Sequence, residues 1–159
     1  MSLNISSDYY LPFPEALKEV LQQFGVSELT RSNLTIKESL SMDYDVCLIV
    51  GITDDIKGNL GISMPSQTAL KIASLAMGGM EVSQLDEISK SALTEISNMI
   101  TAAASIKLSN LNKSVDISPP TLVTGENLTM IISQVDTVSI TLDSSAGPFQ
   151  INIGLETIA

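Results

Sequence analysis

Glu95 and Asn98 stand three positions apart in the stretch of this chain with the clearest helical pattern. Residues at i and i+3 are neighbours on a helix surface. A carboxylate can pair with a cation or accept hydrogen bonds. An amide both donates and accepts them, so it can hold a water molecule in a fixed orientation. Ser91, Thr94, Thr101 and Ala102 surround the pair and all are short, so the glutamate and asparagine stand above a flat face and can reach a partner's pocket. The plainer alternative is two solvated residues. With nine glutamates and eight asparagines in the chain, at least one Glu-x-x-Asn arises by chance with a probability of roughly 0.4. Of the nine glutamates, only Glu95 has asparagine three residues on.

Other chemistry is excluded by what is missing. The chain of 159 residues has no histidine, which removes Ser-His-Asp and Cys-His machinery, histidine metal sites and an imidazole proton shuttle. Its one cysteine, Cys47, lies in an apolar run and is expected in the core. No serine precedes a lysine by three residues, no Gly-Lys dipeptide forms a P-loop, and no G-x-G-x-x-G occurs. Asp43-x-Asp45 begins like a calcium loop, but Leu48 stands where glycine is needed. With 18 acidic and 8 basic residues the net charge is −10. Such a surface repels phosphate backbones and anionic lipid heads, so neither nucleic acid nor membrane is expected as a partner. The first cation is Lys18 and the longest apolar run, Val46 to Ile52, is too short to span a bilayer, so a soluble cytoplasmic protein is expected.

The pair must be positioned by its elements. Apolar residues are 44% and charged residues 16% of the chain, a core-rich composition of one domain over residues 1–159. A first helix reads from Pro12 or Pro14 to Phe24, closed by Gly25. Leu34 and Ile36 give a modest strand signal. Tyr44 to Ile52 and Asn59 to Met64 form a hairpin around Asp54 to Gly58. A second helix starts at Pro65-Ser66 and stops at Gly78-Gly79. The third is expected to open on a Ser83/Asp86 capping box and run to Leu108. Its predicted core stripe is Leu85, Ile88, Ala92, Ile96, Met99, Ile100, Ala103 and Ile106. Asp116-Ile-Ser-Pro-Pro120 is a rigid extended segment, followed by strands at 128–134, 138–143 and 149–155. Val46 to Ser63 and Val138 to Gly154 echo each other, through internal duplication or through hairpin grammar alone. An α/β or α+β domain follows, with helices against one face of a sheet.

Ser91-Ala-Leu-Thr-Glu-Ile-Ser-Asn-Met-Ile100 resembles the motif helix of the CheX-type chemotaxis phosphatases, within the CheC/CheX/FliY group. Four other segments resemble that family in the same order: Tyr10-Leu-Pro-Phe13, Val50-Gly-Ile-Thr53 with Lys57-Gly58, Leu70-Lys-Ile-Ala73, and Asp116-Ile-Ser-Pro-Pro-Thr-Leu-Val-Thr-Gly125. Together they span nearly the whole chain. The resemblance implies a CheC/CheX-like fold, three main helices on a largely antiparallel sheet with a weak two-fold internal repeat. It implies a phosphatase for the phospho-aspartate of a CheY-like response regulator, with Glu95 and Asn98 as the working residues and Ser91, Thr94, Thr101 and Ala102 as the docking face. CheC-type members carry two motifs and CheX-type members one; the first helix here offers only Glu15-x-x-Lys18 and Glu19-x-x-Gln22, a CheX-like pattern. A homodimer joined through sheet edges is also implied. Thr94 and Ala102 occupy places where the family usually has glycine, which alters how closely a regulator docks.

Sparse chemistry suffices for that reaction. A phospho-aspartate is a mixed anhydride, and its own protein supplies a magnesium ion and a lysine. The phosphatase then needs no cofactor of its own. Asn98 would fix an in-line water and Glu95 would pair with the regulator's lysine; holding a water in place contributes ~3–4 kcal/mol, a few hundredfold in rate. The alternative is a non-catalytic, regulator-binding or dimerising adaptor related to flagellar switch proteins.

Overall fold

The computed structural model describes residues 5–126 and 128–157. A single 3₁₀ turn, Ser7–Tyr9, leads into α1, Pro12–Gln23. Then come β1 (Thr30–Lys37), β2 (Leu40–Met42), β3 (Val46–Asp54), β4 (Ile56–Met64), α2 (Ser66–Ala76) and α3 (Glu87–Ser109). Five strands finish the chain: β5 (Val115–Ile117), β6 (Thr121–Thr124), β7 (Met130–Ser133), β8 (Thr137–Asp143) and β9 (Phe149–Thr157).

Helix α1 forms where the sequence allows it. Proline opens its first turn, Phe13, Ala16, Leu17, Val20 and Leu21 are buried along one stripe, and Gly25 follows at φ +91°. Helix α2 ends in the same way, with Gly78 and Gly79 at positive φ. The β3–β4 turn is tighter than the expected Asp54–Gly58 loop. Asp54 itself takes φ +91°, and Ile56 is already a buried strand residue. Asp55 holds the turn by accepting the Ser114 backbone N–H at 2.8 Å. Gly58 therefore has a different task. It lies in β4 opposite Leu155, and a Cβ there would collide with the Gly154 carbonyl oxygen.

Seven strands form one antiparallel sheet in the order β1-β8-β9-β4-β3-β5, with β6 also on β3. Ser118 and the two prolines between β5 and β6 interrupt this outer edge. The Ser118 hydroxyl accepts the Gly51 N–H at 2.7 Å, and Pro119 and Pro120, which have no N–H to give, sit where no strand lies beyond. The order reads alike from either end. β4 and β9 are the central pair, β3 and β8 flank them, and each half contributes the outer strand paired to the other half's hairpin. The echo between the two hairpins is thus a topological equivalence.

The helices cover one face of the sheet. Phe13, Leu17, Ile72, Leu93, Ile100 and Leu108 close over Val50, Leu60, Ile62, Ile151 and Ile153 in one apolar core. On the opposite face, β2 and β7 pair as a short ribbon. Leu40 and Met42 of that ribbon, with Cys47, make a second small cluster. A Cβ at Gly61 would meet the Met42 sulfur at 2.6 Å, so glycine lets the ribbon approach the sheet.

Candidate functional site

Helix α3 is the longest in the fold, 23 residues, and it is tied at both ends. Asp86, not Ser83, caps its start: its carboxylate accepts the Ser89 backbone N–H at 2.8 Å and the Ser89 hydroxyl at 2.8 Å. These hydrogen bonds hold the Asp86 carboxyl below its ordinary pKa. At the other end Asn112 turns the chain at φ +61°, and Lys113 N–H returns to the Leu108 carbonyl at 3.0 Å. Lys107 in the last turn pairs with Glu19 of α1 at 2.8 Å and lies 4.0 Å from Glu15. The Glu19 carboxylate raises the lysine's pKa.

The buried side of α3 consists of Ser89, Leu93, Ile96, Ser97, Ile100, Thr101, Ala104 and Leu108. This is the expected stripe rotated by roughly one residue, about 100°. Ile96 and Ile100 fall inside as expected, but Ile88 is 65% and Ile106 64% exposed. Small hydroxyl residues take their places, and two of them, Ser89 and Thr101, spend their polar groups locally. Thr101 Oγ1 donates to the Ser97 and Asn98 carbonyls at 3.1 Å each, and Ser89 Oγ bonds into the cap. A threonine bonded to its own helix buries as a small, nearly apolar side chain. Thr101 is consequently no part of the outer face, contrary to expectation: it is 2% exposed and lies beneath Asn98.

Glu95, Asn98, Ser91 and Ala102 are all exposed on the outer side of α3. Glu95 and Asn98 lie about 4.5 Å apart along the axis and about 60° apart around it. Among the described residues Glu95 belongs to no ion pair. The side-chain hydrogen bonds of this stretch run from Thr94, Thr101 and Ser105 to backbone carbonyls. Both side chains are therefore presented to solvent on a helix tied at its two ends. Thr94 is half-buried, its hydroxyl donating to the Lys90 carbonyl at 2.9 Å. With Glu87, Lys90, Ser91, Glu95 and Leu122 of β6 it lines an open cleft of about 470 Å³ beside the pair.

Sequence reasoning placed Glu95, Asn98, Ser91, Thr94 and Ala102 together, and the structure brings them together. It missed Ile88 and Ile106, which share the outer stripe of Glu95. Their signal was present in the spacing: they lie 7 residues before and 11 after Glu95, within about 20° of its direction around the helix. Cys47 is buried, and its surroundings push the thiol up to about 11, burial first and then Asp43 and Asp45. It is a core side chain, not a nucleophile.

Three helices on one face of an antiparallel sheet, with a long helix presenting a carboxylate and an amide, place this chain in the CheC/CheX class of domains. A CheC-like superfamily protein from Shewanella sp. PV-4 superposes with a TM-score of 0.85 over 96% of this chain and 99% of its own, at 27% identity. Residues 46–143 match the family described as chemotaxis phosphatase CheX, and the chain belongs to that family. The Thermotoga maritima protein named CheY-P phosphatase CheX is 40% identical over 114 residues, 72% of this chain and 71% of its own length. A CheX–CheY–BeF₃–Mg²⁺ complex from Borrelia burgdorferi shares the fold with a TM-score of 0.77 at 23% identity, over 95% of this chain and 99% of the other.

Proposed function

We propose that this protein dephosphorylates the phospho-aspartate of a CheY-like response regulator in chemotaxis signalling, Asn98 orienting the attacking water and Glu95 pairing with the regulator's active-site lysine. The observation that carries this reading is the joint exposure of Glu95 and Asn98 on a helix fixed at both ends. It is supported by the name of the Thermotoga relative, a CheY-P phosphatase.

The chemistry follows from the groups available. Asn98 can accept one hydrogen bond from a water and donate one to it, which sets the oxygen lone pair without removing a proton. That oxygen attacks phosphorus from the side opposite the aspartyl oxygen. The P–O bond to aspartate breaks, the carboxylate leaves with the electron pair, and inorganic phosphate and a proton are released. An acyl phosphate has a good leaving group, so no general acid is required, consistent with a chain that lacks histidine. The magnesium ion and the lysine that neutralise phosphoryl charge belong to the regulator; this protein contributes position. Glu95 anchors the approach, because a carboxylate one turn from Asn98 takes the lysine and sets the amide's reach. Ser91 and Ala102 keep the surface low around them, and Thr94 marks its flank.

Two further features belong to the same reading. Strand β1 is an outer strand with β8 on one side and exposed side chains over most of its length, which supports a homodimer joined edge to edge. Among the described residues no helix is long and apolar enough to cross a membrane, which accords with work in the cytoplasm on a soluble partner. The test is phosphate release from each phosphorylated receiver of the source organism. The phosphatase reading expects at least one to decay a few hundredfold faster. Binding without acceleration would favour the adaptor.

A further inference from the structure

Helix α3 is apolar on two sides. Its inner side packs into the core, while Ile88 and Ile106, 65% and 64% exposed, stand on the outer side in line with Glu95. Between them lie Ser91, Glu95, Asn98 and Ala102, so the two isoleucines are the bulky apolar groups at either end of a low polar strip. They sit about 15 Å and 12 Å from Asn98 along the axis, a span that fits inside one side of a standard protein interface. A single exposed apolar side chain is ordinary on a soluble protein; what sets these two apart is their place, in line with Glu95 on the helix that presents Asn98.

We infer that Ile88 and Ile106 are the apolar anchors of the docking face. They seat the receiver domain of the response regulator on either side of its phosphorylation pocket. This rests on the reading that Glu95 and Asn98 meet that pocket. The geometry then fixes the occupant: a domain that brings a lysine to Glu95 and a phosphoryl group to Asn98 must lay its flanking surface over positions 88 and 106. The division of labour is distinct. Asn98 sets the rate once the complex exists, Glu95 gives an attraction that salt screens, and the isoleucines give an affinity that salt does not weaken.

The experiment titrates a magnesium- and beryllofluoride-loaded receiver domain with the full chain and measures phosphoreceiver decay in parallel. The proteins are wild type, the Ile88→Ser/Ile106→Ser pair, the Ile88→Leu/Ile106→Leu pair, and Asn98→Ala. Each serine is expected to raise Kd and KM about tenfold at any salt concentration, with kcat and the thermal midpoint unchanged, and the leucine pair to restore binding. Asn98→Ala is expected to bind as wild type. Serine variants that bind and turn over as wild type would overturn the inference while leaving the phosphatase reading standing. Wild type that binds without speeding decay, with serines still weakening the complex, would remove the phosphatase reading and uphold the docking stripe. A change in oligomeric state with serine would show that a second copy covers these isoleucines, and would also overturn it.

Discussion

Replacing Asn98 with alanine is expected to abolish accelerated dephosphorylation while making the protein slightly more stable. The two effects have opposite signs because position 98 has two separable roles. It lies in the middle of α3, Glu87–Ser109, and its side chain is exposed. Truncation there opens no cavity. Alanine is also the better helix former, by about 0.6 kcal/mol at an exposed interior position. For a chain of this size that raises the thermal midpoint by about 1–2 °C. Catalysis should move much further the other way. If the amide holds the attacking water, its loss costs ~3–4 kcal/mol of barrier, a few hundredfold in rate. Thr101 and Ser97 below keep their places, since the Thr101 hydroxyl bonds backbone carbonyls, not the amide. The assay pairs the decay of phosphorylated receiver at saturating protein with a thermal melt of the same preparation. Decay within threefold of wild type would refute the water-holding role. Loss of activity with a fall of several degrees in the midpoint would assign Asn98 to structure instead.

Ser97 is fully buried in the α3 core face, and its hydroxyl oxygen has no hydrogen-bond partner among the described residues. Ser97→Ala should therefore stabilise by about 1 kcal/mol, or about 2–4 °C in a melt; a lower midpoint would mean the hydroxyl is satisfied. Gly58→Ala should act strongly in the opposite sense. The new Cβ would meet the Gly154 carbonyl oxygen, with its carbon at 2.9 Å and Leu155 Cα at 3.0 Å, all backbone of the central pair. A loss of about 3 kcal/mol or more in urea unfolding is expected, and a loss below 1 kcal/mol would show that β4 and β9 part easily. Asp86→Ala should lower the midpoint at pH 7. Hydrogen bonds from Ser89 depress the Asp86 pKa below 3.8, so its contribution is complete above that value and is lost as pH falls through the depressed pKa. The gap between wild type and variant should close on acidification, and a constant gap down to pH 2 would remove the cap as its cause.

The helices and the two hairpins are legible because their punctuation is strong. Prolines open α1 and precede α2, glycines at positive φ close both, and alternating apolar runs mark the paired hairpins. Short β2 was not legible. Leu40–Met42 is three residues long and is held by a distant partner, β7, so no local pattern could mark it. The site was readable as a pair but not in phase. Periodicity alone puts Ile88 and Ile106 in the core, because it equates apolar character with burial. The helix instead buries Ser89, Ser97 and Thr101, whose small volumes allow close packing; the Ser89 and Thr101 hydroxyls are occupied by local hydrogen bonds. A hydrogen bond from a threonine to its own helix leaves no trace in composition. Sequence therefore places Thr101 on the outer face, whereas the structure buries it beside Asn98.

The near-symmetry of the sheet sharpens the question of why only one helix carries the pair. Two runs, α1 to β3–β4 and α3 to β8–β9, each lead from a helix to a hairpin at equivalent places in the strand order, with α2 between them. Helix α1 is thus the counterpart of α3, and it too has glutamates spaced along it. Those glutamates are turned to another use. Glu19 and Glu15 approach Lys107, so the acidic groups of α1 clamp the last turn of α3 instead of facing a partner. Neither has asparagine three residues on, since Lys18 and Gln22 occupy those places. One helix acts as brace and the other, in the function proposed above, as the working surface. The proposed role of α3 would benefit from both ties, since Asp86 fixes its start and α1 its end, and catalysis by positioning demands that Glu95 and Asn98 keep a narrow geometry.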